Sequence, residues 1–245
     1  MSKLYFMMKN IAILAAILTA LSSCTKEVTP PPQEEPAKTR GGYPIERVQQ
    51  NNACFDIDIE YPFFGRPELD QQVRLWVDEN YYDMSEEMQA MCAQTPPAHG
   101  PYEFKGTYEL NSTVGSISVV FKSWSYTGGA HGQDNVQTLV MAVKSGEDLR
   151  YKDLFASTGD LYTFLSDYVY SALSPKLGDI WQGSPMFTEG LEPIEASFKN
   201  FAVTPKGLTI YFPTYQIAPY SEGPQTCEVP LEVLVKFRPK PGIWQ

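Results

Sequence analysis

The sequence predicts an α+β fold of two small subdomains, each an antiparallel sheet with a packed helix. Three observations predict it. Residues 53–143 read as strand, helix and then three strands, and residues 144–245 read as helix, hairpin and strand. The chain also carries 15 Tyr, 13 Phe and 4 Trp, enough large apolar side chains for a core in each half.

The front of the chain stands outside that fold. Lys3 and Lys9 precede an apolar run from Ile11 to Leu21, which is short for a membrane span and suited to a secretory signal. Leu21-Ser22-Ser23-Cys24 resembles a bacterial lipobox, so residues 1–23 are expected to be a signal peptide and Cys24 the lipidated first residue. Several acyl chains on one residue meet the requirement for stable anchoring. Residues 24–42 hold Pro30, Pro31, Pro32 and Pro36 and no aromatic side chain, the composition of an extended tether. The expected location is extracytoplasmic, held at a bacterial membrane by lipid alone.

The first subsidiary unit is assigned to residues 43–143. Ala53–Tyr61 alternates apolar and polar residues, as a half-buried strand does. Pro67 opens a helix through Met91, because Leu69, Val73, Trp76, Val77, Tyr81, Met84, Met88 and Met91 recur at helical spacing. The loop Thr95–Pro101, which contains His99, stops it. Tyr102–Leu110, Gly115–Tyr126 and Val136–Lys144 then read as strands, the last two joined by the turn around His131.

The second unit, residues 144–245, starts with a turn at Ser145–Asp148 and a short connector at Tyr151–Phe155. Asp160–Leu173 has a helical stripe of Leu161, Phe164, Leu165, Tyr168, Val169 and Leu173. Residues 174–193 are rich in Gly and Pro and read as loop. Phe198–Val203 and Leu208–Phe212 form a hairpin about Thr204-Pro-Lys-Gly207; Thr226–Val229 is a strand and Pro230–Phe237 a short helix or strand.

The net charge of −10 argues against nucleic acid or an anionic lipid surface and suits a cationic partner. Past Cys24 the cysteines are Cys54, Cys92 and Cys227, with no CxxC pair to suggest zinc or thioredoxin chemistry. One disulfide and one buried thiol are expected outside the cytoplasm. Three pairings are open; Cys54 with Cys92 is favoured because it would tie the first strand to its helix.

Two histidines occur, and His131 sits in Ser-Trp-Ser-Tyr-Thr-Gly-Gly-Ala-His-Gly-Gln-Asp, residues 123–134. Catalysis or metal binding needs several cooperating groups, and His131 with Asp134 supplies at most two. A turn residue accounts for it better, because Gly128 and Gly129 permit positive φ and the imidazole can hydrogen-bond to backbone. Ser123, Ser125 and Thr127 lack a Gly-x-Ser-x-Gly elbow and read as strand hydroxyls. No catalytic residue, metal or cofactor is expected. Tyr211–Tyr220 is a proline-braced loop whose Tyr215 and Tyr220 either present rigid rings to a ligand or pack the loop down.

Four stretches taken in order carry a resemblance: Tyr126–His131 (YTGGAH), Tyr151–Phe155 (YKDLF), Asn200–Leu208 (NFAVTPKGL) and Tyr215–Pro224 (YQIAPYSEGP). Together they resemble the extracytoplasmic tandem domain-of-unknown-function module of RsiV-type lysozyme-sensing anti-sigma factors. Related modules precede some peptidoglycan deacetylase domains and occur in uncharacterised lipoproteins. The resemblance implies that the C-terminal subdomain looks like an Hsp70-ATPase subdomain in shape only. It implies a cleft between the subdomains, the Pro219-Tyr220 loop matching the part that touches lysozyme; Tyr126, Gly128, Gly129, His131, Tyr215, Pro219 and Tyr220 are the candidate ligand-binding residues near it. The chain departs from the anti-sigma factors in having no expected transmembrane or sigma-binding segment. The expected function is therefore non-catalytic binding of lysozyme or a peptidoglycan fragment by a monomer. The alternative is an enzyme acting on envelope polysaccharide through cleft carboxylates.

Overall fold

The computed structural model describes residues 38–98, 100–178 and 183–244. The expected signal peptide, Cys24, most of the expected tether and His99 lie outside these residues. The first layer is a six-stranded sheet in the order β1 (Thr39–Arg40), β2 (Tyr43–Asn51), β3 (Phe55–Pro62), β4 (Tyr102–Ser112), β5 (Ser116–Tyr126), β6 (Gln133–Ala142). Helix α1 (Pro67–Gln94) connects β3 to β4.

In β3, Ile57 and Ile59 point inward while Asp56, Asp58 and Glu60 point outward, the alternation of a strand with one covered face. Pro67 is the first helical residue of α1, where its missing N–H costs nothing. The Asp70 carboxylate accepts from the Phe64 and Arg66 amides at 2.7 and 2.8 Å, which fixes the entry to the helix. Leu69, Val73, Val77 and Met88 are buried along the stripe. Cys54, just before β3, is disulfide-bonded to Cys92, near the end of α1, with Cα atoms 6.2 Å apart.

Because α1 carries the chain back along the sheet, β3 and β4 run parallel, whereas the other neighbours are antiparallel. The first sheet is thus mixed, which the expectation of an antiparallel sheet did not include. It also begins earlier than expected. β2 precedes Ala53, and β1 lies within the stretch assigned to the tether. Arg40 explains why: its guanidinium donates to Thr107 Oγ1 at 2.8 Å and Glu60 Oε2 at 2.9 Å and lies over the Tyr108 ring. Burial alone would raise the Glu60 carboxyl, but hydrogen bonds and charge from Arg47 and Arg40 outweigh it and hold that group low.

The second layer holds α2 (Tyr151–Leu154), α3 (Leu161–Leu177), α4 (Pro185–Gly190), a three-stranded antiparallel sheet of β7 (Phe201–Thr204), β8 (Gly207–Phe212) and β9 (Gln225–Pro230), and α5 (Leu231–Leu234). Residues 174–193, expected to be loop, contain more helix than composition suggested. α3 runs through Pro175, which falls in its last turn, and ends at Gly178 with φ 81°. α4 starts at Pro185 under an N-cap in which Ser184 Oγ accepts from the Phe187 amide, and buries Phe187.

The two sheets meet within one compact body. β7 is an edge strand, and hydroxyls of the first sheet satisfy its outer amides: Phe201 donates to Thr138 Oγ1 and Val203 to Ser118 Oγ, both at 2.9 Å. Val120, Val136, Ala202 and Tyr211 form a small apolar cluster at the junction. β5 is consequently buried on both faces from Ser116 to Phe121. The C-terminal segment adds a clasp: Gly115 donates to the Ile243 carbonyl, and Trp244 Nε1 donates to the Thr204 carbonyl, both at 3.1 Å.

Candidate ligand-binding site

The connection between β5 and β6 rises from the first sheet at the edge of the second. Gly128 has φ 84° and lies close to the Tyr102 ring, so the backbone turns there; Gly129 does not use the positive φ that glycine permits. His131 is exposed, and its Nδ1 lies 2.8 Å from the Gly132 carbonyl. A carbonyl only accepts, so Nδ1 carries the proton. Thr214 Oγ1 donates to the Asp134 carbonyl at 3.1 Å and ties this connection to the loop after β8.

That loop is pinned from below. Ile217 and Ala218 are buried, Gln216 Nε2 donates to the carbonyls of Gly190 and Ser197, and the Tyr215 amide donates to the Ala218 carbonyl. Tyr220 stacks on His131 with ring centroids 3.9 Å apart and planes at 21°. Tyr215 lies 6.3 Å from Tyr220 at 30°. Tyr215 remains 48% exposed, and its φ of 70° is unusual for a residue with a Cβ. Two stretches distant in sequence are thus joined as a continuous aromatic ledge. Pro219 sets the backbone that leads into Tyr220 and is itself half-buried. Tyr126 stands apart from the ledge and stacks with Trp124 at 6.3 Å.

A groove runs between the sheets, and His131, Tyr215 and Tyr220 line neither of its two cavities. Two adjoining cavities, of about 1110 and about 490 Å³, share Lys122, Tyr211 and Thr226. The larger passes Glu109, Glu228, Leu231 and Val235; the smaller is bounded by Trp124, Asp134, Asn135, Pro224 and Gln225. Lys122 pairs with Glu109, and Lys105 with Asp56. Burial, then the nearby Glu109 and Glu228 charges, push the Tyr211 hydroxyl up to about 12, so it stays a donor at neutral pH. Among the described residues no group of three His, Cys, Asp or Glu side chains is placed to hold a metal ion.

Sequence reading overlooked Trp124, Gly132 and Gln225, and placed Tyr211 only at the start of the proline-braced loop. A signal existed for the first two. Trp124 and Tyr126 are two apart and share a strand face, and Gly132 belongs to the same motif as Gly128. Tyr211 and Gln225 carried none, because only the packing of the second sheet brings them to the groove.

A two-layer α+β domain with an inter-sheet groove is the class that fold and site define. Comparison with known proteins agrees on the fold. Residues 152–232 match the model of a protein family of unknown function, DUF3298, and residues 48–134 match the model called deacetylase PdaC. Two solved DUF3298 proteins share the fold. One, from Pseudomonas aeruginosa PAO1, has a TM-score of 0.59 at 19% identity and covers 82% of this chain and 96% of that one. The other, from Bacteroides fragilis, has a TM-score of 0.51 at 20% identity and covers 84% and 96%.

Among curated relatives, the peptidoglycan-N-acetylmuramic acid deacetylase PdaC of Bacillus subtilis is 24% identical over 196 residues, 79% of this chain. The matched region spans 41% of that deacetylase. The immunogenic protein MPT64 of Mycobacterium tuberculosis is 24% identical over 189 residues, covering 75% of this chain and 78% of that protein.

Proposed function

We propose that this chain is a non-catalytic binding module of the bacterial cell envelope, lipidated at Cys24 and exposed outside the cytoplasm. Its ligand is a protein or cell-wall fragment, with lysozyme the foremost candidate. The observation that carries the reading is the ledge of Tyr215, Tyr220 and His131, where rigid rings from both layers are presented together. Rings held in place before binding lose little entropy on contact. The PdaC match adds a relative whose name places its substrate in the wall. The charge of −10 favours encounter with a cationic protein such as lysozyme.

No helix among the described residues is long and apolar enough to cross a membrane. A lipid anchor at Cys24 would supply attachment instead, and radiolabelled palmitate incorporation lost in Cys24→Ala tests it. The binding reading is tested by capturing lysozyme on the immobilised mature chain and by assaying lysozyme in its presence. Capture that weakens with salt and fails in Tyr220→Ala is expected. No retention at low salt, together with undiminished lysozyme activity, would sink it.

A further inference from the structure

We propose that the smaller cavity is a subsite for one ring of an uncharged saccharide chain, which lies against Trp124 and continues along the groove past Tyr211. A sugar ring has a C–H face and an edge of hydroxyls, so it needs a flat apolar surface with hydrogen-bonding side chains around it. Trp124 offers the surface, and Asp134, Asn135, Gln225 and Thr226 stand around it. A volume of about 490 Å³ suits a small ring, and the opening into the larger cavity suits a polymer rather than a free monosaccharide.

The platform is held in advance. Gly132 is buried against the indole, and a Cβ there would come within 2.3 Å of Trp124 Nε1 and Cε2. Tyr126 stacks with the indole itself, ring centroids 6.3 Å apart and planes at 12°. Only glycine at 132 leaves the indole where it is, which gives this residue of the motif a role that backbone freedom does not explain, since its φ is not positive.

The surrounding groups are also set for a neutral polar ligand. Lys105 and Lys122 lie on the cavity wall but each has an acidic partner, Asp56 and Glu109, so little free positive charge is left for a phosphate. Gln225 Nε2 donates to the Glu222 and Gly223 carbonyls, which fixes its carboxamide at the rim. Farther along, Tyr211 keeps its hydroxyl proton between Glu109 and Glu228 and serves as a donor to the next unit.

The inference rests on reading the chain as an envelope binding module and adds to the ledge a separate subsite that takes a glycan. Its test is a calorimetric titration of the mature chain with the tetramer of N-acetylglucosamine and with cellotetraose, followed also by tryptophan fluorescence. Saturable binding is expected, weakened about tenfold or more in Trp124→Ala and less in Trp124→Tyr. Gly132→Ala is expected to weaken it as well, by displacing the indole. Tyr82→Ala, at an exposed position of α1 that lines neither cavity, is expected to leave sugar binding unchanged. Melting temperatures confirm that each variant is folded. Equal binding by wild type and Trp124→Ala, or no saturable binding of either sugar up to about 10 mM, overturns the proposal. Lost lysozyme capture with intact sugar binding would count against the ledge alone and leave the subsite standing.

Discussion

Tyr215 combines an exposed ring with a left-handed backbone, at φ 70°. That conformation costs a residue with a Cβ about 1–2 kcal/mol, and Asn tolerates it better than Tyr. Tyr215→Asn is therefore expected to leave the melting temperature unchanged or raised while lowering lysozyme capture. A tyrosine serving only to pack the loop would lose stability instead. Cys227 is a contrasting case. Burial, only partly opposed by Lys176, pushes its thiol up to about 11, so at pH 7 only about one part in ten thousand is thiolate. Folded protein is expected to resist iodoacetamide at Cys227, and urea-unfolded protein to react readily, as mass spectrometry would show.

At the scale of the element, the long helix was the most legible part of the sequence. Its stripe from Leu69 to Met88 is set by the 3.6-residue period, which needs no knowledge of distant residues. β2 was illegible for the opposite reason. Tyr43, Ile45 and Val48 fall out of phase with a two-residue alternation, and only pairing with β3 and the Arg40 and Arg47 contacts to Glu60 make the segment a strand. The disulfide between Cys54 and Cys92 closes a separation of 38 residues across β3 and α1. Its removal by Cys54→Ala with Cys92→Ala is expected to destabilise the domain by about 3–4 kcal/mol in urea titration. The hydroxyl contacts between the sheets also act through a single element. In Ser118→Ala the buried Val203 amide loses its partner, and a loss of about 1–3 kcal/mol is expected.

For the whole molecule, pH dependence follows from groups buried in the neutral form. Cys227 is raised to about 11, and Tyr61, Tyr162 and Tyr211 are raised to about 12, chiefly by burial. A folded-state value above the unfolded one gives stability that is complete below the unfolded value and fades as pH rises through the folded one. Urea midpoints are therefore expected to fall between about pH 9 and 12. Glu60 works in the other direction: held low by Arg47 and Arg40, it contributes above the ordinary carboxylate range and ceases to as pH falls through its lowered value. The sequence by itself determined the α+β class, the main helices, the hairpin and the glycine turn around His131, because each depends on local period or turn chemistry. The tertiary structure alone decided the parallel β3–β4 pair, the stacking of His131 on Tyr220, and the groove floored by Trp124 and Tyr211. Those arise where strands far apart in the chain share edges and faces, and side-chain period carries no information about which face will meet which.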